Sequence, residues 1–368
     1  MRNSASLFAK LYGLTVMCQM SAVGTSITVK TRVLITSAYA AEFKERRTGS
    51  EVDLMDYLQV FVYLVNWLYE TFDRDTLNLQ LAVSGVIFLS KQREASFLKY
   101  FPDLNDVVDK HSSLNGISKF LMEEESIFED DDIVLLLTND KIGSRLPNGK
   151  IYTRSNGFAP AGAACSPSRV AVVTEEPLTL KGVMVAAHEI MHLLGSVHDG
   201  QFAPTYLKHS PGAVSCPDNG MHIMSTQRSK HIMPSFSNCT TLQVVAFLRE
   251  GWATCLLDNT KRHSVPLLSA KFKSVSSDYQ NLCKHLHPNL NDIYFIQKYG
   301  DEYSLQNCDL ICATPLGADN IKLFLHDAPD FLSCGTSGGN ELKVCVNKKC
   351  VQLPAERKTF RKVLRKNM

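Results

Sequence analysis

His188-Glu189-Ile190-Met191-His192-Leu193-Leu194-Gly195-Ser196-Val197-His198-Asp199-Gly200 sets three imidazoles and a carboxylate at the spacing a catalytic zinc requires. On a helix, His188 and His192 project from one face, a turn apart. Glu189 stands beside the first imidazole, where a carboxylate reaches a metal-held water instead of the metal. Gly195 tolerates positive φ, so the chain can leave the helix sharply and bring His198 back as a third ligand. Three protein ligands leave a fourth position open, which distinguishes a catalytic zinc site from a closed structural one.

A bare His-Glu-x-x-His arises by chance in roughly one chain in a hundred of this length. Much of the weight therefore rests on Gly195, His198 and Asp199 at their fixed offsets. The competing reading is a core helix with polar residues facing out. From Val183 to Leu194, however, the remaining residues are Val, Ala, Ile, Met and Leu. Histidines and a glutamate buried there without partners would cost about 1–3 kcal/mol each.

The extended motif resembles that of the metzincin proteases. Asp199 after the third histidine is similar to their adamalysin (reprolysin) branch, which includes snake-venom metalloproteases, ADAMs, ADAMTS enzymes and tick salivary metalloproteases. The resemblance implies Zn2+ held by His188, His192 and His198, with Glu189 as general base in peptide hydrolysis by metal-activated water. It also implies a Met-turn under the zinc site. Cys216-Pro-Asp-Asn-Gly-Met-His-Ile-Met-Ser225 matches it and puts Met224 in that position, although a lone methionine after a turn is otherwise core filler. Gly157-Phe158-Ala159-Pro160-Ala161-Gly162 resembles the family's edge strand, along which an extended substrate pairs through backbone hydrogen bonds. The disulfides Cys165–Cys255 and Cys216–Cys239 are implied by the same resemblance, which covers about residues 28 to 258. The fold implied is α/β: a metzincin-type mixed sheet with long helices over an irregular lower subdomain, followed by a small disulfide-rich module.

The rest of the chain agrees with a globular extracellular protein. Its 368 residues suffice for two domains, and 45% hydrophobic with 21% charged residues excludes dominant disorder. A net charge of +2 gives no basis for nucleic-acid binding, and no run of apolar residues is long enough for a membrane span. Of eleven cysteines, Cys18 stands alone, four (Cys165, Cys216, Cys239, Cys255) flank the zinc motif, and six (Cys283, Cys308, Cys312, Cys334, Cys345, Cys350) crowd the last quarter. Even counts per module read as disulfides and place the protein in an oxidising, secreted setting. Metal-binding thiols are the alternative for the last six, but paired Cys-x-x-Cys spacing is missing.

Five segments follow. Residues 1–27 read either as a weak signal sequence interrupted by Lys10 or as the remnant of a pro-region, with Cys18 either a zinc-capping thiol or incidental. Residues 28–258 form the protease domain. Strands are expected over Val29 to Ser37, Leu79 to Leu89, Ile133 to Thr138 and Val170 to Val173. Helices are expected over Glu51 to Phe72, Asp103 to Glu125 and from near Leu180. Residues 259–280, rich in Lys, Ser and His, read as a connector. Residues 281–354 form a Cys-rich module whose spacing resembles tick and ADAMTS enzymes, suited to substrate docking or a structural appendage. Residues 355–368 are a basic tail, solvated or able to hold anionic glycosaminoglycans. With every catalytic group before residue 259, removal of the rest is expected to leave short-peptide cleavage within a few-fold.

Two departures from the family stand out. Many adamalysins hold a structural Ca2+ with an early Glu. Asp132 and Asn259 match that site, but Thr31 or Arg32 occupies the Glu position, which argues against calcium. The stretch between His198 and Cys216 also lacks the extra cysteines of many venom enzymes. The expected function is a secreted zinc endopeptidase acting on extracellular proteins, of the matrix or clotting type. The alternative is a secreted binding protein acting on haemostasis or adhesion through its Cys-rich module.

Overall fold

The computed structural model describes residues 24–47, 52–227, 234–258, 272–317, 320–336 and 342–353. Most of the N-terminal segment with Cys18, Asn259, most of the connector and the basic tail lie outside the described residues.

A five-stranded sheet organises the first two-thirds. Its order is Leu77–Phe88, Thr25–Ile35, Ile133–Thr138, Val170–Thr174 and Gly157–Phe158. The first four strands run parallel, and the short Gly157–Phe158 strand closes the edge antiparallel to Val170–Thr174. A parallel sheet must be covered on both faces, which explains why Ile133–Leu137 is an unbroken apolar run. Alternate side chains serve two cores. Val33, Ile35, Leu135 and Val173 pack under the helices Leu54–Tyr69 and Gly182–Leu193. Leu34, Val134, Leu136 and Val172 pack against the helices Lys91–Phe97 and Lys110–Glu123.

The helix expected from Asp103 to Glu125 divides. Leu104–Asp109 is a strand in a second, four-stranded sheet, pairing parallel with Lys141–Arg145 and antiparallel with Tyr100–Phe101. Lys110–Glu123 is helical, its N-cap Asp109 accepting from the His111 amide at 3.1 Å, and a separate helical turn, Glu125–Phe128, follows. Leu104, Val107 and Val108 fit helical spacing, but the β-branched pair finds strand partners on both sides, and tertiary pairing overrides the local pattern.

At Asp132, where the family's calcium site would fall and where the sequence already argues against calcium, the cation beside the carboxylate is Lys30. The Asp132 carboxylate accepts from the Lys30 amide at 2.8 Å and faces its ammonium at 3.4 Å. Burial pushes Asp132 up to about 6 against these contacts. Arg32 turns instead to Asp131, at 2.8 Å, and the Thr31 hydroxyl donates to the Val29 carbonyl.

From residue 198 to 237 the described chain has no helix or strand and forms the floor below the sheet. Cys216 is bonded to Cys239, tying that floor to the helix Asn238–Phe247, and Cys165 to Cys255, tying the turn before the strand Val170–Thr174 to the end of the protease half. Beyond it, Cys283–Cys312, Cys308–Cys345 and Cys334–Cys350 staple two small antiparallel sheets. The described end of the connector is ordered: Phe272–Ser276 is a helix, with Phe272 and Val275 buried in the main core. Phe331, Val344 and Val346 of the C-terminal module join the same core, and Phe331 meets Trp67 edge-on at 6.0 Å. Among the described residues no helix is long and apolar enough to cross a membrane.

Candidate metal centre

The helix Gly182–Leu193 carries His188, Glu189 and His192. At its C-terminus Gly195 adopts φ +89°, and a Cβ there would strike Phe247 at 2.7 Å. The turn is closed by the Ser196 amide donating to the Met191 carbonyl at 3.0 Å. His198 is thereby returned to the helix, its Nε2 3.2 Å from the Nε2 atoms of both His188 and His192.

The outer ring nitrogens explain why these atoms converge. His188 Nδ1 lies 2.8 Å from the Ile223 carbonyl and His192 Nδ1 2.7 Å from the Ser196 carbonyl. A carbonyl only accepts, so each Nδ1 carries the proton and each Nε2 presents a lone pair to the centre. Burial, then the neighbouring imidazoles, hold His192 well below the ordinary range, and burial also lowers His198. Neutral imidazoles with facing lone pairs repel one another unless a cation lies between them. The donor set fits a zinc ion.

Met224, expected to form a Met-turn, is fully buried in the main core. Its carbonyl accepts from the Asp199 amide at 3.0 Å, so residues 223 and 224 grip both His188 and the loop bearing His198. Asp199 is buried too, and accepts from Ser237, the N-cap of the helix Asn238–Phe247, at 2.6 Å. Burial raises its carboxyl.

Glu189 is buried, and no hydrogen bond reaches its carboxylate among the described residues. Burial raises it to about 8, with the Lys110 ammonium pulling the other way. A divalent cation on the neighbouring imidazoles would pull in the same direction as Lys110. Gly157 lies against Glu189: a Cβ at Gly157 would stand 2.8 Å from both the Glu189 Cγ and Oε1. The strand can cross the glutamate only because it has no side chain there.

These groups line an open cleft of about 690 Å³ between the sheet edge and the irregular floor. Only Gly157 and Phe158 of the expected edge segment form a strand. Ala159 lines the cleft as irregular loop and Ala161 from a turn, where the Ala161 carbonyl already accepts from Tyr206. Gly162 donates its amide to the His192 carbonyl and accepts from Trp252 Nε1, so it fastens the strand to the metal-site helix. Pro160 lies between them and donates nothing to a ladder. Lys110 and Gln201 also face the cleft. Sequence reading missed both: Lys110 is brought near Glu189 only by the fold, and Gln201, three residues after His198, lies just past the motif.

A fold with this site defines a metallopeptidase. The family model Reprolysin_5, of metallo-peptidase family M12, matches residues 25–238. That is more than half of the chain, and the chain belongs to this family. The venom metalloproteinase antarease-like TserMP_B of Tityus serrulatus is 27% identical over 64% of this chain and 98% of its own length. TserMP_A of the same species, a venom metalloproteinase antarease, is 28% identical over 62% of this chain and 57% of its own length. A Bombyx mori protein described as a disintegrin and metalloproteinase with thrombospondin motifs like is 31% identical over 49% of this chain, which spans 27% of it. The protein is a metalloendopeptidase of the zinc-dependent reprolysin type.

Proposed function

We propose that this metalloprotease is secreted and cleaves extracellular proteins, with matrix or clotting proteins as the substrate class. The observation that carries the reading is the convergence of three imidazole Nε2 atoms beside a buried glutamate, in a cleft open to solvent. Five disulfides among the described residues and relatives named as venom enzymes support secretion.

His188, His192 and His198 would hold zinc through Nε2. Bound there, zinc supplies Lewis acidity toward water and the scissile carbonyl. The Glu189 carboxylate takes the proton from the attacking water and returns it to the leaving amine. The edge strand Gly157–Phe158 offers main-chain groups to an extended peptide, which adds as a further strand and stands over Glu189. Main-chain pairing reads no side chains, so residues of the floor and Lys110 are left to set preference. The segment boundaries at residues 258 and 281, taken as divisions of the chain and not as independently folding units, and the retention of anionic glycosaminoglycans by residues 355–368 belong to the same proposal. Loss of salt-sensitive heparin retention on deleting those residues tests the tail.

Incubation with fibrinogen, gelatin and a peptide library, with and without a zinc chelator, tests the function. Chelator-sensitive internal cleavage is expected. Tight binding of fibrinogen without any cleavage of it or of the peptides would replace the enzyme with a binding protein.

A further inference from the structure

We propose that His287 and His326, on the C-terminal module, form a second site for a divalent transition-metal cation. Their Nε2 atoms lie 2.8 Å apart. The imidazoles of the candidate catalytic centre approach in the same Nε2-to-Nε2 manner, at 3.2 Å. Both rings are half-buried, so they are held in place while solvent still reaches the pair.

The fold fixes the two rings from opposite sides. His287 is the C-cap of the helix Tyr279–Leu286, with its amide donating to the Cys283 carbonyl at 3.1 Å. His326 lies on the strand Asn320–Asp327, opposite Leu310 of the strand Asp309–Gly317. The Cys283–Cys312 disulfide ties that helix to that hairpin, and Phe324, opposite Cys312, packs its ring 4.1 Å from the His287 ring. A covalent clamp one helical turn from His287 therefore presets the approach, and little ordering is left for an ion to impose.

The chemistry selects the class of ion. Cys312 Sγ lies with the two imidazoles, but it is spent in the disulfide and is no thiolate ligand. Asp327 pairs with Lys348. Two imidazole nitrogens with water completing the shell suit Zn2+, Cu2+ or Ni2+ and not Ca2+ or Mg2+. An ion there bridges the helix Tyr279–Leu286 to the hairpin. The same helix carries His285, whose Nε2 lies 2.6 Å from Glu176 of the protease half, so occupancy would stiffen the joint between the two halves.

The test is calorimetric titration of the full-length, zinc-containing enzyme with ZnCl2, beside the variants His287→Gln and His326→Gln. The full chain is expected to take up about one further ion, and each variant to bind it at least about tenfold more weakly. Hydrolysis of a short peptide by either variant is expected to be unchanged, which also reports that it has folded. No further uptake, or uptake of equal affinity in both variants, would overturn the site and leave a hydrogen bond between neutral imidazoles.

Discussion

Gly157 crosses the Glu189 carboxylate at a distance no other residue permits. An added methyl would fall 2.8 Å from Glu189 Cγ, Glu189 Oε1 and Val185 Cγ1 at once. Neither the packed helix nor the strand can retreat freely, so the carboxylate is the group that shifts. Gly157→Ala is expected to lower turnover of a short peptide by about ten- to a hundredfold, the effect of misplacing a reacting group by roughly an ångström. None of the three imidazoles is among the atoms nearest that methyl, and zinc content measured by elemental analysis is expected to match the unaltered enzyme. Unchanged turnover would show that the glutamate has room. The ligand trio was legible in the sequence because its members lie in one continuous stretch. The glycine's purpose was not, because its partner approaches only through the fold. The same holds for Ile223 and Ser196, which act through main-chain carbonyls and leave no side-chain signature.

The metal-site helix is anchored at its other end by Glu175. This fully buried carboxylate accepts from the Gly182 amide at the helix start and from the Tyr57 hydroxyl, which itself accepts from the Leu180 amide at 2.9 Å. Burial raises Glu175 to about 8, against the hydrogen bonds from Tyr57 and Gly182. Its folded value thus lies above the unfolded one, and the folded state holds a proton the unfolded chain gives up. The stability it contributes is full below the unfolded pKa and is lost as pH rises toward 8. Glu175→Gln keeps an acceptor and removes the charge. Its urea midpoint is expected to fall less than that of the unaltered protein between pH 5 and about 8. Parallel curves would remove Glu175 from this role. Other elements differed in how openly they declared themselves. Ile133–Thr138, buried on both faces, read as a strand from its own composition. Leu104–Asp109 did not, since its apolar spacing continues the helix after it and only its neighbours Tyr100–Phe101 and Lys141–Arg145 make it a strand.

Across the whole molecule, the two halves share a core. Phe272 and Phe331 stand edge-on to Tyr63 and Trp67 of the helix Leu54–Tyr69, and Val344, Val346, Val351 and Leu353 extend the same cluster. Glu176 adds a polar joint, meeting Arg46 and Lys181 on its own side and His285 across it; these partners, His285 foremost, hold its carboxyl well below the usual range. The sequence suggested a detachable module, because all catalytic groups precede residue 259. The shared core changes that expectation. Cutting away residues 259–368 would bare Tyr63, Trp67 and their neighbours, at about 25 cal/mol per Å² of apolar surface. The shortened chain is expected to melt more than about 5 °C below the full chain and to lose peptide hydrolysis with its fold. Equal melting temperatures would restore the modular view. Cysteine counts alone could not reveal the shared core, since they report covalent pairing and not which apolar faces meet.

The most direct test of the central claim measures zinc content and peptide hydrolysis together in Glu189→Ala and His192→Ala. If Glu189 moves the proton and the imidazoles hold the metal, Glu189→Ala keeps about one zinc per chain and loses hydrolysis by more than about a thousandfold, whereas His192→Ala loses both. Near-normal turnover in Glu189→Ala, or full zinc retention in His192→Ala, would contradict the account.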